Sequence, residues 1–252
     1  MRTILTSKRF WITMMLVALF RFLDLLPLIV SYSYVENGKW QNIYDVVGLH
    51  QCIGISMFAL IIRMVPVLTY SSEFCDNYKS NYLTYALMRK GKTYYCVTTA
   101  IKCALSTFLC VLIGEVIVVL GLMTILDFNH NTTVNVQGVV MNDGQAIFDI
   151  SSRIYLLSLR GAFYGVVTML LSIFTLNKFV IYSIPIILHF FFMYFGVDYL
   201  KIDTMYNPAM VFDFFALGYE KPIQSLIYST VYLIVTVFIL ERLMEKRIER
   251  CY

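Results

Sequence analysis

The chain has 252 residues, 59% of them apolar and only 14% charged, with a formal net charge of +4. A soluble domain carries about a quarter charged residues, so a water-exposed globule is excluded for most of this length. The apolar surplus falls in long runs, which makes the bilayer the expected solvent and an all-α, polytopic membrane helix bundle the expected fold.

The N-terminal MRTILTSKRF has the basic flank of a signal sequence, but no small-x-small cleavage site follows and the apolar run continues to Val30. This reads as a retained first span over residues 10–34. Inside it Arg21 and Asp24 lie three residues apart, hence on one helical face. Charges at bilayer depth are expensive and face protein or water. A self-neutralising pair at a helix–helix contact is therefore preferred to a substrate contact. A short loop with Glu36, Lys39 and Asp45 leads to a second span, residues 48–70, where Arg63 can snorkel to the interface.

The third span, residues 94–126, exceeds a simple crossing, since ~1.5 Å per residue carries it past the ~30 Å hydrocarbon core. Thr99, Cys103, Thr107, Cys110 and Gly114 follow helical spacing and form a small-residue stripe, continued loosely to Gly121, of the kind that lets membrane helices approach closely. The cysteines read as packing residues rather than redox centres. No CxxC pair occurs and the histidines are scattered, so neither disulfide nor metal chemistry is indicated. Glu115 interrupts the span at a depth comparable to Arg160 in the fourth, which suggests a buried Glu115–Arg160 clamp.

Residues 127–152 form the longest polar loop, with three acids and no Lys or Arg. Asn131-Thr132-Thr133 matches a glycosylation sequon, a match that matters only in a eukaryotic secretory pathway. The fourth span, residues 153–175, holds Gly161 and Gly165 in GxxxG spacing, a signal for close helix contact. A short turn at Asn177-Lys178 opens the fifth span, residues 179–199, where Pro185 precedes a lone His189 read as a packing residue. Residues 198–222 are half apolar yet broken by Asn207-Pro208, Gly218 and Pro222, which fits a re-entrant outer segment better than a crossing. A sixth span, residues 223–241, ends in the basic tail ERLMEKRIERCY.

With the N-terminus inside, the cytoplasmic segments hold twelve Lys and Arg and the outer loops four, against nine acids. That bias orients the chain with both termini in the cytoplasm. The net charge thus reflects topology and gives no reason to invoke nucleic acid.

The organising stretch lies between spans two and three: residues 71–92, SSEFCDNYKSNYLTYALMRKGK. Ser80 can cap a helix over residues 81–90, with Gly91 as the C′ residue and Arg89 and Lys90 suiting the negative end of the helix dipole. Tyr78, Tyr82 and Tyr85 recur at helical spacing, as do Leu83 and Leu87. The simplest function for such a helix is to rest on lipid headgroups; the sharper one is to dock a cytoplasmic partner. Gly91-Lys92-Thr93 imitates the end of a phosphate-binding loop, but Ala86 stands at the first glycine position and no strand precedes it.

Six spans, a polar cytoplasmic segment after span two and a broken outer segment before span six resemble the ABC-2-type transporter permeases, of the compact bacterial type. The stretch SEFCDNYKSNYLTYALMRKGKTYYCVTTAIK is similar to their cytoplasmic segment. The resemblance implies that residues 81–90 are a coupling helix, with Tyr82, Leu83, Tyr85, Leu87, Arg89 and Lys90 docking a separate ATP-binding subunit. ATP and Mg would then bind that partner and no cofactor this chain, which would not itself be an enzyme. It also implies a second permease, the same or a related chain, and a cell-membrane location. Relatives of this kind often serve peptide export or self-protection against antimicrobial peptides, so a peptide, lipid or other hydrophobic cargo is expected. Two other classes stay open. A non-transporting scaffold or sensor would use the same docking helix. An intramembrane enzyme would need a catalytic set at bilayer depth, whereas Asp24, Glu115 and His189 stand singly on separate spans.

Overall fold

The structure is a computed structural model that describes residues 7–33, 57–124, 135–136, 139–140, 143–201, 207, 211–212 and 222–251. Apolar runs of this length form helices because lipid offers no partner for backbone N–H and C=O groups, which must be satisfied within the segment. The described chain is accordingly helical apart from the two-residue strands β1 (Asn135–Val136) and β2 (Val139–Val140), which pair antiparallel.

Helix α1 spans Lys8–Ser33, and α2 (Met57–Met64) passes into a 3-10 turn, Val65–Leu68. Two short helices follow, α3 (Glu73–Lys79) and α4 (Tyr82–Lys90), then the long α5 (Lys92–Met123). Helix α6 covers Asp143–Ser172, α7 covers Lys178–Phe190 and continues as π-helix through Phe191–Tyr199, and α8 covers Pro222–Cys251. Among the described residues, five segments are long and apolar enough to cross a membrane: Lys8–Pro27, Lys92–Met123, Ile150–Ser172, Lys178–Gly196 and Leu226–Arg250. The first half of the expected second span, and most of the expected re-entrant segment 198–222, lie outside the described residues.

Three boundaries differ from expectation. Helix α6 begins at Asp143, so residues 143–152, expected as polar loop, are helical, and Arg153 is buried inside the bundle. Helix α8 runs through the basic tail to Cys251 because Leu240, Met244 and Ile248, at i, i+4, i+8, keep an apolar stripe to pack. Ser80 does not cap the following helix: its hydroxyl donates to the Asp76 carbonyl at 2.8 Å, closing α3 instead.

Helix α5 is the spine, packing along α6, α1 and α8. Thr99, Cys103, Thr107, Cys110 and Gly114 are all buried on it. A Cβ on Gly165 would meet the Thr107 methyl at 2.5 Å, and one on Gly161 the Val111 side chain at 2.6 Å, so the α5–α6 approach requires glycine at both positions. Gly114 does the same for α1, where Val17 lies 2.9 Å from its would-be Cβ. Gly121 departs from the expected stripe; it is exposed and nothing lies within 4 Å of a Cβ there.

Candidate functional site

Helix α4 stands between two left-handed backbone positions, Asn81 at φ 57° and Gly91 at φ 77°. Asn tolerates that region better than other non-glycine side chains and Gly enters it freely, so the chain can break helical geometry at both ends. The helix preceding Gly91-Lys92-Thr93 also removes the strand that a phosphate-binding loop needs.

The nine residues of α4 divide into two faces. Leu83 and Ala86 are buried, and Leu87 packs half-buried on the same cluster, which includes Phe74 of α3, Tyr95 and Cys96 of α5, Met169 of α6 and Met244 of α8. The opposite face carries Tyr82 (52% exposed), Tyr85 (59%) and Met88 (82%), with Arg89 and Lys90 exposed beside them. The expectation that Leu83 and Leu87 join the tyrosines on one docking face is therefore corrected. The i, i+3, i+4 set 83, 86, 87 turns inward while 82, 85, 88 turns out. Met88, which the sequence reading passed over, is the most exposed apolar residue of the helix, and its place three residues after Tyr85 was the available signal. Tyr78 leaves this face altogether and stacks on Phe74.

Helix α3 ties the platform to the rest of the bundle. Asn77 donates to the Tyr95 hydroxyl at 3.0 Å, and the Cys75 thiol to the Leu176 carbonyl at 3.3 Å. Asp76 meets Lys178 of α7 at 2.5 Å and Arg9 of α1 at 3.8 Å. An ion pair between Lys92 and Glu249 joins the start of α5 to the end of α8. Burial pushes the Cys75 thiol above its ordinary pKa, with Lys79 and Lys178 acting in the opposite direction.

A second constellation lies deep in the bundle. Arg21 Nε is 3.2 Å from Glu115 Oε2, and Arg21 Nη1 is 3.6 Å from Asp24 Oδ2; all three residues are buried. Arg153 joins Arg21 and Glu115 in lining a cavity of about 10 Å³, closed by Leu25, Val118 and Leu122. The cluster thus gathers two cations and two acids from α1, α5 and α6. The expected Glu115–Arg160 pair is not formed. Arg160, rotated away on α6, donates to the Phe212 carbonyl at 3.0 Å. Comparable depth had suggested the pair; the side of the helix each residue occupies decides against it.

His189 is buried with Nδ1 3.1 Å from the Tyr164 hydroxyl. Asn207 donates to the Phe192 carbonyl at 2.9 Å, and Ser229 to that of Val211 at 2.7 Å. Buried Asn207, Val211 and Phe212 are thereby held by polar contacts to α6, α8 and the π-helical end of α7. Cys75, Cys96, Cys103 and Cys110 are buried free thiols, and among the described residues no His, Cys, Asp and Glu group is arranged to hold a metal.

No protein-family model matches this chain, and neither a curated protein nor a solved structure does.

Proposed function

We propose that the chain is the membrane-spanning permease subunit of an ABC-type transporter, with α4 as the helix on which a separate ATP-binding subunit docks. The observation that carries this reading is the division of α4. Tyr82, Tyr85, Met88, Arg89 and Lys90 face outward, while Leu83 and Ala86 join a core built from α3, α5, α6 and α8. A force applied to the outer face would reach four helices through packed side chains, which transmit displacement because protein cores compress little.

In this reading residues 48–70 are the second of six spans, residues 198–222 form an outer re-entrant cap, and both termini are cytoplasmic. Two copies, or this chain and a related permease, enclose the path. The cargo is a peptide, lipid or other hydrophobic compound moved outward, and the membrane is that of a bacterial cell. ATP and Mg reside on the partner. The buried Arg21–Asp24–Glu115 cluster acts as a clamp between helices.

The test is affinity purification of the tagged chain in mild detergent, with mass spectrometry and an ATPase assay on the eluate. A stoichiometric ATP-binding subunit, lost in Tyr85→Asp or Met88→Asp but kept in Lys246→Gln, is the expected result. A chain that elutes alone, or with partners that do not bind ATP, overturns the proposal in favour of a scaffold or sensor.

A further inference from the structure

We infer that the junction of α1, α3 and α7 is a binding site for the phosphodiester headgroup of an anionic phospholipid. The inference rests on the membrane-spanning character of the helices and not on the transport reading.

Arg9 and Lys178 stand in the first turns of α1 and α7, two of the helices long and apolar enough to cross a membrane. Asp76 bridges them, Oδ1 to Lys178 Nζ at 2.5 Å and Oδ2 to Arg9 Nη1 at 3.8 Å. The starts of both helices are thus tied to one carboxylate on α3. One carboxylate serves two cations here, and Lys8 precedes Arg9 in the chain, so the junction keeps an excess of positive charge. These cations remain accessible: the Arg9 side chain is 67% exposed and that of Lys178 42%.

Trp11, two residues after Arg9, is 49% exposed, and Phe179, next to Lys178, is 86% exposed. Basic side chains next to exposed aromatic residues in the first turns of such helices match the headgroup level of a bilayer, where rings sit among carbonyls and cations meet phosphate. A soluble protein or peptide partner would satisfy the charge but leave Trp11 and Phe179 facing lipid for no gain. Asp76 then acts as a built-in competitor, since its carboxylate already occupies part of the cation pair.

The experiment measures the apparent melting temperature of the purified chain in detergent supplemented with phosphatidylglycerol, with phosphatidylcholine at the same mole fraction, or with inorganic phosphate. Phosphatidylglycerol is expected to raise it by about 2–4 °C over phosphatidylcholine, a shift that salt diminishes. Arg9→Gln combined with Lys178→Gln should abolish the difference, and Asp76→Asn should enlarge it by removing the competitor. Lys178→Arg, which keeps the charge, should retain it, so the test survives if the double variant does not purify. Equal values in the two lipids, or a smaller difference in Asp76→Asn, overturn the proposal. Inorganic phosphate reproducing the whole shift overturns it in favour of a small-anion site. No ATPase enters the readout, so failure to purify an ATP-binding partner leaves this result untouched.

Discussion

Arg21 Nε lies 3.2 Å from Glu115 Oε2, joining α1 to α5 at a buried depth, while the same guanidinium meets Asp24 one turn further along its own helix. One cation thus serves two acids, and the three side chains do not contribute symmetrically. Arg21→Met removes the shared cation from two buried carboxylates and should cost about 3–5 kcal/mol. Glu115→Gln leaves Arg21 with Asp24 and should cost clearly less. Apparent melting temperatures of the two variants in the same detergent check the order; a Glu115→Gln variant as damaged as Arg21→Met contradicts the shared-cation geometry.

The glycines of the α5–α6 contact predict a second asymmetry. Gly165→Val drives side-chain atoms into Thr107, with overpacking worth about 1–3 kcal/mol. Gly121→Ala meets nothing within 4 Å and sits in an exposed helical turn. It should be neutral, or stabilising by up to about 1 kcal/mol. Thermal unfolding of both separates packing glycines from incidental ones.

Within α4, Leu83→Asp and Met88→Asp should fail for different reasons. Leu83 is 1% exposed and Met88 82% exposed. A carboxylate at position 83 is buried among apolar groups, and the chain should lose yield and monodispersity in detergent. The same change at 88 should leave the monodisperse fraction intact and affect only what binds the outer face. Size-exclusion profiles of the two variants, read before any partner assay, decide this.

Cys75 offers a chemical probe of α3. Burial raises its thiol pKa, so at a given pH a smaller fraction is thiolate than for a free cysteine, and the thiolate is the reactive form. Alkylation by N-ethylmaleimide, followed by peptide mass spectrometry, should be slow near neutral pH. Its rate should still climb with pH where a free thiol has levelled off, and denaturant should restore ordinary behaviour. Rapid labelling of native Cys75 at neutral pH would mean that α3 opens freely.

The positions of the long helices were legible from composition alone, because lipid admits only segments whose backbone groups satisfy one another. Residues 10–34 and 94–126 are found as α1, Lys8–Ser33, and α5, Lys92–Met123. Chain ends of helices were less legible. Asp143 through Ser152 look polar, and nothing local shows that Ile150 and Ser152 face a neighbour. The basic tail likewise hid the stripe Leu240, Met244, Ile248, which is buried against the α4–α5–α6 cluster.

Sequence alone determined that this chain carries several helices long and apolar enough to cross a membrane, that Arg21, Asp24 and Glu115 need partners, and that a short basic helix interrupts the apolar runs. Solvation dictates those statements residue by residue. Which partners meet, and which face of α4 stays outside, was decided only in three dimensions. Depth along a helix follows from counting, but rotation about its axis follows from what packs against it. Val17 against Gly114 and Thr107 against Gly165 set that rotation for α1, α5 and α6. It turned Glu115 toward Arg21, Arg160 toward Phe212, and Leu83 into the core.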